Sequence, residues 1–407
     1  MSIRDRLIKS KEFKNNFGNF FIWSGIYCST PLMAYFWLVF IGYHLILLTY
    51  SVTLVIQDAK LFGECAHFAV FRFSCFAVIC NSLFYIKRLE TLFVTFNTDQ
   101  VYDYENTLSD NSTKEVESIR RKYAERKSFY ANGFFKTVTG ALATFWLRTI
   151  LEYYFLHSDQ LAIEHDDGIN RDLPVPSYFP YDTSEWPLMH FTLLCEIILV
   201  VQSYLIVVAI DCSFICFAED FLRELEIISL TLKDLYARSV KLRSENSRLS
   251  IQESLLICVN HSIRHHQKII ELFKCLYDYS YYVLFVLLGG GAFLICLSGL
   301  ILTDDNIRVQ DKSVFFMFLG NELFHIFILC YYGEQIIDKG NRIGDSLYES
   351  SWLTVSKYLK PYIVMINLRS QKPLALSGGG FIPANIDTYG TVLRTAYSCL
   401  NLLKATE

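Results

Sequence analysis

Seven mostly apolar stretches punctuate this 407-residue chain, each close to the ~20 residues that a helix needs to cross a bilayer. They run over 34–56, 66–86, 134–156, 188–217, 276–302, 313–333 and 380–403, and each predicts a membrane-spanning helix. Between them the pattern becomes amphipathic. The run RRKYAERK at 120–127 has a helical pattern, and segment 217–243 brings apolar residues back every three or four positions. That spacing predicts helices that extend the spans beyond the membrane or connect them. The strongest such pattern lies in 334–379, where Ile343, Leu347, Trp352, Val355, Leu359, Ile363 and Ile366 recur between polar residues. A stripe of this kind beside a span predicts packing against other helices, those of other subunits included. Its scattered basic residues do not form the cluster that an anionic-lipid anchor needs.

Composition agrees with a membrane class, at 52% apolar and 19% charged residues. The spans leave no room for a separate soluble domain of ordinary size. Twelve cysteines include no CxxC and fall mostly inside the spans, where thiols are small core residues rather than a disulfide framework or a zinc site. The start, MSIRDRLIKSKEFKNNF, is basic and polar, unlike a cleavable signal peptide.

The distribution of charge says more than the net −4. Of 37 basic residues, 28 fall in 1–33, 87–133, 218–275 and 334–379. Basic residues beside spans stay in the cytosol. The pattern therefore predicts a cytosolic N-terminus and an extracellular C-terminus, the reverse of a G-protein-coupled receptor. The sequons at Asn111 and Asn260 then lie in the cytosol, where no glycan is added.

The outer segment 157–187 is acidic, with Asp159, Glu164, Asp166, Asp167, Asp172, Asp182 and Glu185 against Arg171. Pro174, Pro176, Pro180 and Pro187 predict a stiff, extended flap. An acidic outer surface would concentrate cations around what it covers.

Within the spans, Arg72, Arg148, Glu152 and Glu196 are ionisable, and the orientation puts all four in the outer half of the membrane. Arg148 and Glu152 are four residues apart and can pair on one face. At similar depth stand Phe73 and Phe76, then Trp146, Thr149 and Tyr153, then Phe315 and Phe318. Two readings fit: a packed aromatic core with a structural ion-pair network, or an apolar pocket with a few orienting polar groups. Gly289, Gly290 and Gly291 allow close helix approach or a flexible point. His261, His265 and His266 lack a further ligand at metal-binding spacing. No nucleophile or acid–base set predicts an enzyme, and nothing predicts a cofactor or a nucleic-acid partner.

The last span is too polar for lipid, carrying Asn385, Asp387, Arg394 and Asn401 as well as Pro383 and Gly390. Asp387, Thr391, Arg394, Ser398 and Asn401 follow 4-3-4-3 spacing and share one helix face. Such a face lines an aqueous path or packs on other polar helices.

The run RSQKPLALSGGGFIPANIDTYGTVLRTAYSCLNLL (369–403), CYYGEQI (330–336), LYESSW (347–352) and HSIRHHQKIIELFKCL (261–276) resemble the insect odorant receptor family. The N-terminal half shares only length, spacing and topology with it. The resemblance implies an all-α membrane protein of seven transmembrane helices, N-terminus cytosolic and C-terminus extracellular. The last helix would be split into a cytosolic part and a pore-lining part. It implies a ligand-gated, non-selective cation channel in the plasma membrane of olfactory dendrites. An odorant-specific tuning subunit would assemble there with a co-receptor subunit, as a tetramer. Segment 1–33 would be cytosolic, 34–333 would hold six spans with the pocket in their outer half, 334–379 would be the assembly segment and 380–407 the pore span. A small volatile ligand, apolar or aromatic, would bind among Phe73, Phe76, Trp146, Thr149, Tyr153, Glu196, Phe315 and Phe318. The pore would be lined by Thr391, Arg394, Ser398, Asn401, Leu402 and Thr406. Counting through TVL and YS puts the family's constriction at Leu402, with Thr406 one turn beyond. The co-receptor is apolar at that second position and has a long insertion in the segment matching 218–275. Both departures imply a tuning subunit. A polytopic transporter is the alternative from another class, but the chain has no internal repeat or paired broken helices. A gustatory receptor shares the architecture but carries TYxxxxxQF where this chain has TYGTVLRTA (388–396).

Overall fold

The apolar runs fold as helices that begin at capping residues where the chain supplies them. The computed structural model describes residues 10–27, 32–97, 101–151, 168–170, 173–183, 187–305, 307, 309–350 and 356–406. Two short helices, α1 (Lys11–Asn15) and α2 (Gly18–Trp23), come first. The long helices are α3 (Leu32–Leu54), α4 (Ala59–Phe96), α5 (Asp110–Leu151) and α6 (Leu188–Lys233). After α7 (Leu235–Glu245) come α8 (Ile251–Thr303), α9 (Val309–Tyr348), α10 (Ser356–Ser370) and α11 (Ile386–Thr406). Asp58 caps α4 by accepting from the Leu61 N–H at 3.1 Å, and Ser250 with Glu253 forms a reciprocal box at the start of α8. Both satisfy amides that a helix start leaves without partners.

Length carries the helices well past the membrane. The 42 residues of α5 and 53 of α8 reach ~63 and ~80 Å at ~1.5 Å per residue, at least twice the ~30 Å hydrocarbon layer. Among the described residues, five helical stretches are long and apolar enough to cross a membrane: Leu32–Leu54, Leu61–Phe96, Leu188–Lys233, Ile251–Thr303 and Asp311–Tyr348. The other two expected spans fall in α5 and α11. Lys136 and Arg148 interrupt the apolar run of the first, whose residues 152–156 lie outside the described residues, and Asp387 and Arg394 interrupt the second.

Helix α6 is the axis of the bundle. Every residue from Val208 to Leu225 is buried, so it is surrounded by other helices rather than lying on a face. The charges this buries are paired. Arg126 meets Glu219 at 3.0 Å, Lys127 meets Asp220 at 3.0 Å, and Arg223 bridges Asp220 and Glu224 at 2.8 and 2.7 Å.

The amphipathic stripe of 334–379 is used up within the chain. Ile343, Leu347, Leu359 and Ile366 are buried in its own core and Ile363 packs against them. Trp352 and Val355 lie outside the described residues. What stays exposed is the opposite face, with Tyr348, Val364, Met365 and Leu368.

Where described, the outer flap is pinned rather than free. Strands β1 (Ile169–Asn170) and β2 (Ser177–Tyr178) pair antiparallel. The Tyr178 N–H donates to Ser51 Oγ at 2.7 Å, Cys65 donates to the Pro176 carbonyl, and Leu173 and Phe179 pack on Leu47. Of its acidic residues only Asp182 is among those described.

The helix expected over 380–403 starts later, at Ile386. Before it, β3 (Ser377–Gly378) and β4 (Ile382–Pro383) form a hairpin around Gly379 and Gly380, whose φ of +63° and +81° only glycine adopts readily. Asn385 then caps α11 by accepting from the Thr388 N–H at 2.9 Å.

Candidate functional site

Four helices, the flap and one residue of α8 enclose a cavity of about 160 Å³. An apolar cavity of ~150 Å³ takes a benzene molecule. Helix α4 contributes His67, Phe68, Phe71 and Arg72, and α5 contributes Phe134, Val138, Ala141, Leu142 and Phe145. Helix α6 adds Val200, Ser203, Tyr204, Val207 and Asp211, and α9 adds Phe318, Asn321, Glu322 and His325. Val175 reaches in from the flap and Leu294 from α8. Phe318 lies nine residues into α9 and His325 sixteen, which is ~14 and ~24 Å along the helix. The cavity is therefore nearer the flap end of the bundle.

Its walls are aromatic. The Phe318 ring stacks on His67 at 5.4 Å and lies 6.2 Å from both Phe68 and Phe145. A few polar groups join them. Arg72 donates to the Leu199 carbonyl at 2.9 Å and to Ser203 Oγ. His325 lies 3.1 Å from Asp211 and 3.6 Å from Glu322. An apolar chamber with a few fixed polar groups orients a small ligand without binding it through charge.

The residues expected to bind ligand disperse. Phe318 lines the cavity, and Phe315 is buried directly behind it, 5.2 Å from the His67 ring. Trp146 packs on Phe145 at 5.7 Å, one layer out, and Thr149 donates to the Phe145 carbonyl. Phe73 is half exposed on the outer surface of the bundle, and Phe76 lies against Gly42. Glu196 is buried away from the cavity, 2.6 Å from His44. Tyr153 and Glu152 lie outside the described residues. Arg148 reaches Asp311 on α9 at 2.9 Å. Asp211, Glu322 and His325 line the cavity without being among the residues expected to. Their signal was legible: one aspartate within LIVVAIDCSFICF, and a Glu–His pair three residues apart within GNELFH.

Of Gly289, Gly290 and Gly291, Gly291 is a close approach, since a Cβ there would sit 2.5 Å from Ile326 and 2.6 Å from the Glu322 carboxylate. His261 meets Tyr102 at 3.0 Å, and His265 meets Tyr104 at 2.7 Å and Glu224 at 3.0 Å. Burial pushes the Tyr104 phenol up, so it stays protonated. Among the described residues no group of three His, Cys, Asp or Glu could hold a metal.

The last helix has two distinct sides. Val392 and Ala396 are buried against the bundle, and Leu400 rests on Gly299 of α8. Asp387, Thr391, Arg394, Ser398, Asn401 and Leu402 are exposed. Thr406 ends the helix, and its side chain is not among those described. At its start, the CYYGEQI motif meets Ala384 and Ile386, which follow SGGGF. The Ala384 carbonyl passes so close to Gly333 that a Cβ there would sit 1.9 Å from it. Glu334 accepts from the Ile386 N–H, and Tyr281 of α8 donates to the Gly379 carbonyl at 2.7 Å.

A family model described as 7tm Odorant receptor matches residues 65–397. Odorant receptor 67c of Drosophila melanogaster is 26% identical over 250 residues, 59% of this chain and 57% of that protein. Odorant receptor 2a of the same species is 23% identical over 252 residues, 58% of this chain and 60% of the relative. These alignments thus span less than two thirds of the relatives' own length. The structure of the insect olfactory receptor OR5 from Machilis hrabei in complex with eugenol superposes with a TM-score of 0.79 at 14% identity, covering 98% of this chain and 100% of that one. OR5 without that ligand gives 0.78, again at 14% identity and with 98% of each chain covered. With a family model covering most of its length, and the seven-helix fold to match, this chain belongs to the odorant receptor family.

Proposed function

We propose that this chain is the odorant-binding subunit of a ligand-gated, non-selective cation channel, and that it assembles with a co-receptor subunit in the plasma membrane of olfactory neurons. The observation that carries this reading is the face of α11. Its 21 residues span ~31 Å, the thickness of the hydrocarbon layer. Yet Asp387, Thr391, Arg394, Ser398 and Asn401 all stand exposed along it. Such a face is costly in lipid. Around a central axis shared with other subunits it would line water. Leu402, exposed near the far end, would there act as an apolar constriction.

Ligand binding belongs to the cavity between α4, α5, α6 and α9, which suits a small apolar or aromatic volatile. Phe318 and Glu322 lie on α9, the helix whose Gly333 and Glu334 hold the start of α11. Ligand that shifts α9 would therefore reach the pore helix without an intermediary. The exposed face with Tyr348, Val364, Met365 and Leu368 is the surface for a neighbouring subunit. Cysteine accessibility tests the pore assignment. In chain co-expressed with a co-receptor, Ser398→Cys should react with a hydrophilic thiol reagent and reduce the current. Val392→Cys, on the buried side, should not react. Equal silence at both positions would remove α11 from the pore.

A further inference from the structure

Next to the ligand cavity along α5, on the side away from the flap, lies a larger, basic one of about 860 Å³. It opens between the N-terminal helices α1 and α2 and the first half of α5. Lys14, Arg120, Arg121, Lys127 and Arg223 line it against one carboxylate, Glu12. Two of these cations are already compensated, since Lys127 and Arg223 both bind Asp220, at 3.0 and 2.8 Å. Among the described residues, Lys14, Arg120 and Arg121 have no acidic partner. The Arg120 Nε is buried without an acceptor. Asn16 is 1% exposed and lines the same cavity, and neither its amide nitrogen nor its carbonyl oxygen has a hydrogen-bond partner.

Donors and charge left unsatisfied around one void describe a site for an anion with several oxygens. Its depth says which kind. Residues 120–132 of α5 precede the apolar run that starts at 134, so they occupy the ~20 Å on the basic side of the membrane boundary. Aromatics mark that boundary. Phe17 and Phe20 line the cavity and pack on Phe135, and Trp23 meets Phe20 edge to face while 58% exposed. A half-exposed tryptophan of this kind settles at the headgroup level.

We propose that this cavity binds the phosphorylated inositol headgroup of a phosphoinositide in the cytosolic leaflet. Three uncompensated cations match a headgroup with more than one phosphate monoester, each carrying about −1.5 to −2, better than singly charged phosphatidylserine. The aromatic rim gives the glycerol and upper acyl chain an apolar wall that a free phosphate would not use. Bound there, the lipid would tie the N-terminal helices to α5, whose outer half forms one wall of the ligand cavity.

The test is direct binding to the purified full-length chain, read without channel opening, so that its failure leaves the pore and ligand assignments untouched. The probes are phosphatidylinositol bisphosphate, phosphatidylserine and soluble inositol trisphosphate. The bisphosphate lipid should bind most tightly. Each lost arginine should weaken it about fivefold, so Arg120→Gln with Arg121→Gln should weaken it about twenty-five-fold. Arg120→Lys with Arg121→Lys should keep most of the affinity, and Lys114→Gln, outside the cavity on the same helix, should change nothing. Lys14→Glu, at an exposed position that leaves folding intact, should weaken binding from the other wall. Unchanged affinity in both the double Gln variant and Lys14→Glu would overturn the site. Equal affinity for phosphatidylserine would overturn the phosphoinositide assignment. Equal affinity for the soluble trisphosphate would make it a site for free anions rather than for lipid.

Discussion

Filling the ligand cavity from its wall is the sharpest perturbation. Ala141 is 6% exposed on α5, faces the void, and has Phe145 one turn further along the helix. Ala141→Phe adds a phenyl ring, which is a benzene on a stalk. The cavity measures about 160 Å³, little more than the ~150 Å³ that accommodates benzene, so the new ring takes nearly all of it. An aromatic ligand that buries ~150 Å² there at ~25 cal/mol per Å² gains ~4 kcal/mol from apolar burial, about a thousandfold in affinity. Displacing it should raise the half-maximal volatile concentration about a thousandfold or abolish the response. Because the ring enters existing space, surface density should fall little; without that space, overpacking costs ~1–3 kcal/mol. The assay is a concentration–response series in cells expressing the chain with a co-receptor, normalised to surface protein. Leu147→Phe, on the exposed side of the same helix, is the control and should shift nothing. An unchanged curve for Ala141→Phe at normal surface density would refute the argument, because ligand would then bind elsewhere.

Other consequences are as concrete. Arg238 is fully buried and donates to the Thr107 carbonyl, the Thr231 carbonyl and Ser262 Oγ at 3.0, 2.8 and 3.1 Å. Arg238→Met should therefore destabilise the chain by about 3 kcal/mol or more, seen as a lower unfolding midpoint, with Arg238→Lys intermediate. Gly333→Ala forces a Cβ against the Ala384 carbonyl. Since backbone must move, the loss should reach the ~3 kcal/mol upper end of overpacking and appear as missing surface protein; normal expression and gating would contradict the junction. Leu402→Ala should raise basal current or alter ion selectivity, and no change in either would mean that another residue sets the constriction.

The sequence carried the helices well and their ends poorly. Apolar runs and basic clusters specify spans and their order, because period and charge are local signals. The late start of α11 was also local, written in Gly379, Gly380 and Pro383, but hidden inside a run that reads as apolar. The polar face of that helix was legible from 4-3-4-3 spacing, and in the folded chain it is exposed. The cavity was harder. Phe73, Phe76 and Phe318 look alike in sequence, yet one faces outward, one covers Gly42 and one lines the void. Helix rotation decides among them, and neighbours distant in sequence set it. The stripe at Ile343, Leu347, Leu359 and Ile366 shows the same limit: its period predicted packing, but not that the partners would belong to the same subunit.

A volatile should open a cation path formed in part by this chain. Whole-cell recording from cells expressing the chain with a co-receptor, during volatile application and with G-protein signalling blocked, tests it most directly. An inward, non-selective cation current should persist under the block and depend on this chain for its ligand preference. A current that vanishes with the block, or no current despite surface protein across a broad volatile panel, would contradict it.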